Sequence, residues 1–145
     1  MMQLSGDTRD VLKNFSTINQ NLMVKSGNTI NTMSAMKNIV AKATIPDTFS
    51  NEFAIYDLNE FLSALSLFKS PSLEFADKSV KLNEEGGGSS LNYFFSDPSV
   101  VTTPKTEITM PSVDVEFTFT QNAFIDIQKA SAVLGVPDVV LKGTA

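Results

Sequence analysis

Cysteine and histidine are both missing from this sequence. Their absence removes disulfides, thiolate and imidazole metal sites, Ser-His and Cys-His nucleophiles, and histidine acid-base work. The chemistry left is that of carboxylates, lysine, tyrosine and hydroxyls, and no spacing of these stands out as catalytic. No enzymatic activity, catalytic residue, metal site or cofactor is therefore expected. Long apolar runs are missing too: none approaches the about 20 residues needed to cross a bilayer. The start, Met1-Met2-Gln3-Leu4, lacks the basic and apolar regions of a signal peptide, so an intracellular protein with no membrane partner is expected. There is no basic excess. A net charge of -5 and a pI near 4.6 argue against a surface that coats nucleic acid all round, while leaving room for a local basic face. What remains is 145 residues, 42% of them apolar, enough for one ordinary folded domain or two small ones.

The stretch from Ala54 to Leu67 organises the rest. Phe53, Ile55 and Tyr56 read as strand, and Asp57 then supplies a helix N-cap with Glu60 three residues on, the reciprocal spacing that marks a helix start. From Leu58 the apolar side chains recur at Phe61, Leu62, Leu65 and Phe68, one stripe at helical period, with Asn59, Glu60, Ser63, Ser66 and Lys69 on the other side. Both carboxylates are accounted for by capping.

Before it, Ser5 caps a first helix with Asp7 in its first turn and Val11, Leu12, Phe15 and Ile18 as its stripe. Arg9 and Lys13, four residues apart, project away from Phe15 and Ile18, either as part of a solvated face or as cations turned toward phosphates. Asn19-Gln20-Asn21 breaks this helix. Leu22 to Lys25 then reads as a strand, Ser26-Gly27-Asn28 as a turn, and Thr29 to Ser34 as a return strand. Asn38 to Ile45 alternates with Ile39, Ala41, Ala43 and Ile45 on one face, and Pro46-Asp47-Thr48 is expected to close it. Past Ser70, short strands are expected at Ser72 to Phe75, Ser79 to Leu82 and Leu91 to Phe95. The glycines between the last two lack the following Lys-Ser/Thr and helix of a phosphate loop, and read as a hairpin tip.

Pro98, Pro104 and Pro111 frame an extended stretch, which divides the chain into a first domain over 1–98, a connector over 99–111 and the start of a second domain over 112–145. Val113 to Thr120 alternates with period two and reads as a strand; Gln121 to Leu134 is a helix with Ala123, Ile127, Ala130 and Leu134 on one stripe; Val139 to Gly143 is again a strand. This order of elements repeats the opening of the chain and suggests a duplicated domain. The second copy is expected to be incomplete, leaving an apolar face that further chain or a partner would cover.

Leu12-Lys13-Asn14-Phe15 with Thr17-Ile18-Asn19, the segment Leu22 to Gly27, the block Ala54 to Leu67 and Asp97-Pro98-Ser99 together resemble the sliding clamp, or DNA polymerase processivity factor, of T4-like bacteriophages. The resemblance is collinear over positions 12 to 99 and weaker beyond. It implies an α+β DNA-clamp fold with antiparallel sheets outside and helices on the inner face of a trimeric ring, here one complete domain plus part of a second. It further implies sequence-independent double-stranded DNA as ligand, with DNA polymerase, a clamp loader and further copies of the chain as partners. A supporting role in late transcription and a place in the host cytoplasm during infection go with it. By the same analogy Arg9, Lys13, Lys69 and Lys129 are expected to face DNA. Ile45, Val100, Val101, Ile108 and Met110 are expected to line a pocket for a partner's peptide tail, although aliphatic residues in a connector serve equally to seal two domains together. The competing reading is a phage structural or assembly protein with a duplicated α+β domain.

Overall fold

The computed structural model describes residues 1–143, which fall into two compact units with their boundary after Ile108. The first holds two helices and seven strands. Helix α1 (Gly6–Ile18) opens behind the Ser5 cap, whose side chain accepts from the Thr8 backbone N–H; Thr8, Leu12 and Phe15 are its buried side. Strand β1 (Leu22–Val24) follows the Asn19 to Asn21 break, then β2 (Gly27–Met33) and β3 (Val40–Phe49). Next come β4 (Phe53–Ile55), helix α2 (Leu58–Ser66), and the meander β5 (Pro71–Phe75), β6 (Ser79–Glu84) and β7 (Ser90–Phe94).

All pairing is antiparallel: β1 with β4, β2 with β3, and β5-β6-β7 in sequence order. Strands β1 and β2 are thus not a hairpin, as the turn at Ser26-Gly27-Asn28 suggested; Gly27, at φ 117, turns the chain into a different ladder. Strand β3 also runs on through Pro46 to Phe49. Pro46 is tolerated because the register shifts between Gly27 and Thr29, so that Ile45 to Thr48 lie opposite a bulge where a missing N–H breaks no ladder bond.

One hydrophobic core serves the whole unit, from Leu4 through Leu12, Phe15, Ile30 and Ile45 to Leu58, Leu65, Val80 and Tyr93. Helix α1 lies against β3 and α2. At the other end Phe53 stacks on Phe95 at 4.8 Å between centroids and meets Phe49 edge-on at 5.4 Å. Isolated bridges tie Met2, ahead of α1, to Leu73 of β5, and Ala54 of β4 to Ser96 just past β7.

In the second unit, α3 (Gln121–Leu134) starts at the Thr120 cap and ends on Gly135 at φ 65 in the left-handed conformation. Neither Val113 to Thr120 nor Val139 to Gly143 is a strand, contrary to the alternation in the sequence. A strand exists by hydrogen bonds to another strand, and period-two side chains do not supply one. The predicted stripe of α3 is likewise only partly sheltered: Ala123 and Ile127 are half-buried, with Ser131 rather than Ala130, and Leu134 is exposed.

Candidate functional site

Two surfaces of the first unit hold sequence-derived candidates. The first is the outward side of the helices. At the start of α1, Ser5 donates from both its backbone N–H and its hydroxyl to Asp47 Oδ2, each at 2.8 Å, so β3 and the helix cap are one structure. Burial alone would push the Asp47 carboxyl up, but hydrogen bonds from Thr8 and Ser5 and the nearby charge of Arg9 outweigh it and hold the group below the usual carboxylate range. Arg9 is half-buried, and its Nε is closed off from solvent with no hydrogen-bond partner among the described residues. It therefore sits at the flank of α1, not on the fully exposed face. Lys13, one turn later, is exposed, as are Asp7, Asp10 and Asn14 around it.

Helix α2 begins where Asp57 Oδ1 accepts from the Glu60 backbone N–H at 3.1 Å. Asn59, Glu60, Ser63 and Ser66 form its exposed side, near neutral in charge. Lys69 lies beyond the helix, which ends at Ser66; its backbone N–H donates to Glu84 Oε2 at 2.8 Å, fastening the turn to β6. Lys129 is exposed on α3 in the second unit.

The second surface is a groove of ≈ 350 Å³ between the β2-β3 ladder and the stretch Thr103 to Ile108, floored by Met23 and Val40 and flanked by Lys25, Lys42 and Lys105. The Asn breaker before β1 anchors this stretch: the Thr102 N–H donates to Asn21 Oδ1 at 2.8 Å. Further along, Glu107 pairs with Lys42, whose hydrogen bond and charge hold the Glu107 carboxyl low. Of the five aliphatic candidates, only Ile108 lines the groove. Ile45 is 3% exposed and belongs to the core, mid-strand in β3 and not in a loop. Val101 is also buried, while Val100 stands exposed in a 3-10 turn, Pro98–Val100, capped by Asp97. Met110 belongs to the second unit. The residues missed were Met23, Val40 and the three lysines. Lys42 was legible as the polar side of the β3 alternation, but nothing local said that Thr103 to Ile108 would cross that side.

Among the described residues no cluster of His, Cys, Asp and Glu is arranged to hold a metal, and no helix is long and apolar enough to cross a membrane.

Residues 5–103 match the family model described as DNA polymerase processivity factor. The chain is 35% identical over 147 aligned positions to the sliding clamp of Vibrio phage KVP40, covering 99% of this chain and 66% of that protein. It is 38% identical to the sliding clamp of Enterobacteria phage T4, over 76% of this chain and 48% of the relative, and 32% identical to that of Escherichia phage RB69, over 79% and 50%. The chain thus spans between about half and two thirds of the length of these curated relatives. With a mixed α+β fold of antiparallel sheets and a family match covering nearly all of its first unit, the chain belongs to the DNA polymerase processivity factor family.

Proposed function

We propose that the protein is a sliding clamp that encircles duplex DNA and tethers the replicative polymerase to its template, without chemistry of its own. The observation that carries this reading is the family match over residues 5–103, supported by three relatives that are each named sliding clamp. In this reading residues 1–98 are the first clamp domain, 99–111 the connector and 112–145 the beginning of a second domain. Three subunits close the ring, a loader opens it, and α1 and α2 line the hole. Assistance to late transcription and action in the host cytoplasm during infection belong to the same proposal.

A clamp must hold DNA and still slide, which calls for diffuse attraction to phosphates and no base-edge contact that would pin its register. The helix surfaces suit that requirement. Lys13 is a free cation among small polar side chains and two acids, and the exposed side of α2 is nearly uncharged. Arg9 is half-buried and Lys13 exposed, so Lys13 takes the larger part at this face, with Lys69 and Lys129 as further DNA-facing cations. The groove along Thr103 to Ile108 is the seat for a client peptide, with Ile108 among its walls. The aliphatic residues of the connector divide between that task and sealing, and the burial of Val101 favours sealing at its position.

Retention on DNA tests the reading. The protein expressed from its own gene, loaded with its polymerase system on nicked circular DNA, should stay bound and should be lost when the circle is linearised. Equal retention on the two forms would overturn the proposal. Charge reversal at Lys13 should shorten the products of primed synthesis; unchanged product lengths would remove Lys13 from the DNA-facing set.

A further inference from the structure

Away from the helices and from the connector groove, a third depression of ≈ 410 Å³ opens where β4 meets the end of β7. Its floor is the Phe53–Phe95 stack, with Phe53 buried and Phe95 half-buried. The backbone bridge from Ser96 N–H to Ala54 O at 2.9 Å holds the floor in place. The rim carries Glu52, Asp77 and Asp97 against the single cation Lys78, all exposed. Among the described residues neither Glu52 nor Asp77 takes part in an ion pair. Both also border an adjoining polar depression that reaches Ser26 and Ser50, so the feature is elongated.

We infer that this groove docks a short basic segment of a partner protein, with an arginine or lysine set over the Phe95 ring between Glu52 and Asp77 and an apolar neighbour in the groove. Charge complementarity selects that occupant: three carboxylates against one ammonium repel an acidic peptide, and an aromatic floor attracts a cation as well as an apolar side chain. The carboxylates stand around the floor and do not converge into a set that could hold a metal ion, which sets this site apart from a cation site. Asp97 contributes charge from a fixed position, because its side chain is tied down by the Ser99 N–H at 2.9 Å. The inference does not depend on the clamp reading, since it uses neither the helix cations nor the connector groove.

The test is a resonance titration of the isotope-labelled 145-residue chain with a synthetic nonapeptide carrying two arginines around a phenylalanine, and with the same peptide bearing glutamates for arginines. The basic peptide should give saturable shifts centred on Glu52, Asp77 and Phe95, and the acidic one none. The double change Glu52→Gln and Asp77→Asn, both at exposed positions that leave the core intact, should weaken binding by about tenfold at low salt. Shifts centred elsewhere, equal binding of both peptides, no binding of the basic peptide, or undiminished binding by the double variant would each overturn the proposal. Shifts that include the free amides of a second copy, with concentration-dependent line broadening, would reassign the groove to self-association.

Discussion

Thr32 is 2% exposed, and among the described residues its hydroxyl has no hydrogen-bond partner. An unsatisfied buried hydroxyl loses its water without compensation, so Thr32→Val should stabilise the protein by about 0.5–1 kcal/mol, read as a higher urea midpoint at unchanged slope. A lower midpoint would mean that the hydroxyl is satisfied in solution. Asp47 acts in the opposite sense. Its native carboxyl titrates below the ordinary range, so its contribution is fully present above that range and is lost as pH falls through the depressed native value. Asp47→Asn should therefore be less stable than the parent near neutrality, by about 1–2 kcal/mol for the loss of charge-assisted bonds to the Ser5 N–H and hydroxyl. The difference should narrow as the acid limb is approached in parallel melts; a gap independent of pH would locate the effect elsewhere. Neither role was legible from position. Asp47 looked like part of a closing turn, because the sequence does not reveal that a residue 42 positions from Ser5 will hold that helix cap in place.

At the scale of elements, local chemistry was read well wherever it is self-contained. The Asp57 cap, the α2 stripe and the Ser5 cap depend on neighbours three or four residues away, which the sequence displays. Asp57→Ala should cost about 1 kcal/mol, and Asp57→Ser should recover most of it, measured by denaturant melts followed in the far ultraviolet. Equal losses in the two variants would point instead to the Asp57 carbonyl region, where the Tyr93 hydroxyl donates at 3.3 Å. Strand partners were not legible. Alternation at Asn38 to Ile45 identified Ala41, Ala43 and Ile45 as the sheltered side of β3, but Ile39 lies before the strand and is exposed, and the extension through Pro46 and the pairing of β1 with β4 across about thirty residues rest on contacts between distant segments. In the second unit the same alternation is present over Val113 to Thr120 without any ladder, although Val115 approaches Gly143 so closely that a methyl there would lie 3.2 Å from its Cγ2.

Considered whole, the two units differ in how much apolar surface they remove from water. Among the described residues the first encloses every buried hydrophobic residue, whereas α3 has none, and Phe117, Phe119, Phe124, Val133 and Leu134 each keep a large exposed fraction. Burial is what raises the cost of local opening, so amides of α3 should exchange with solvent orders of magnitude faster than those of α1 and α2 at neutral pH. Mass-spectrometric exchange on the 145-residue chain checks this, and equal protection of the three helices would show that the second unit is covered in solution.

By itself the sequence determined what depends on composition and short spacing. It showed the lack of thiol and imidazole chemistry, the caps and stripes of the helices, and the blocks that resemble processivity factors. Only the tertiary structure decided which strands pair, that Arg9 is half-buried while Lys13 is exposed, and that the stretch Thr103 to Ile108 crosses the lysine side of β3 to make a groove in which Ile108 alone of the expected aliphatic residues takes part. The physical reason is range. Caps and helical stripes are settled within one or two turns of chain, whereas ladders, grooves and the burial of a side chain are settled by segments that meet only when the core closes.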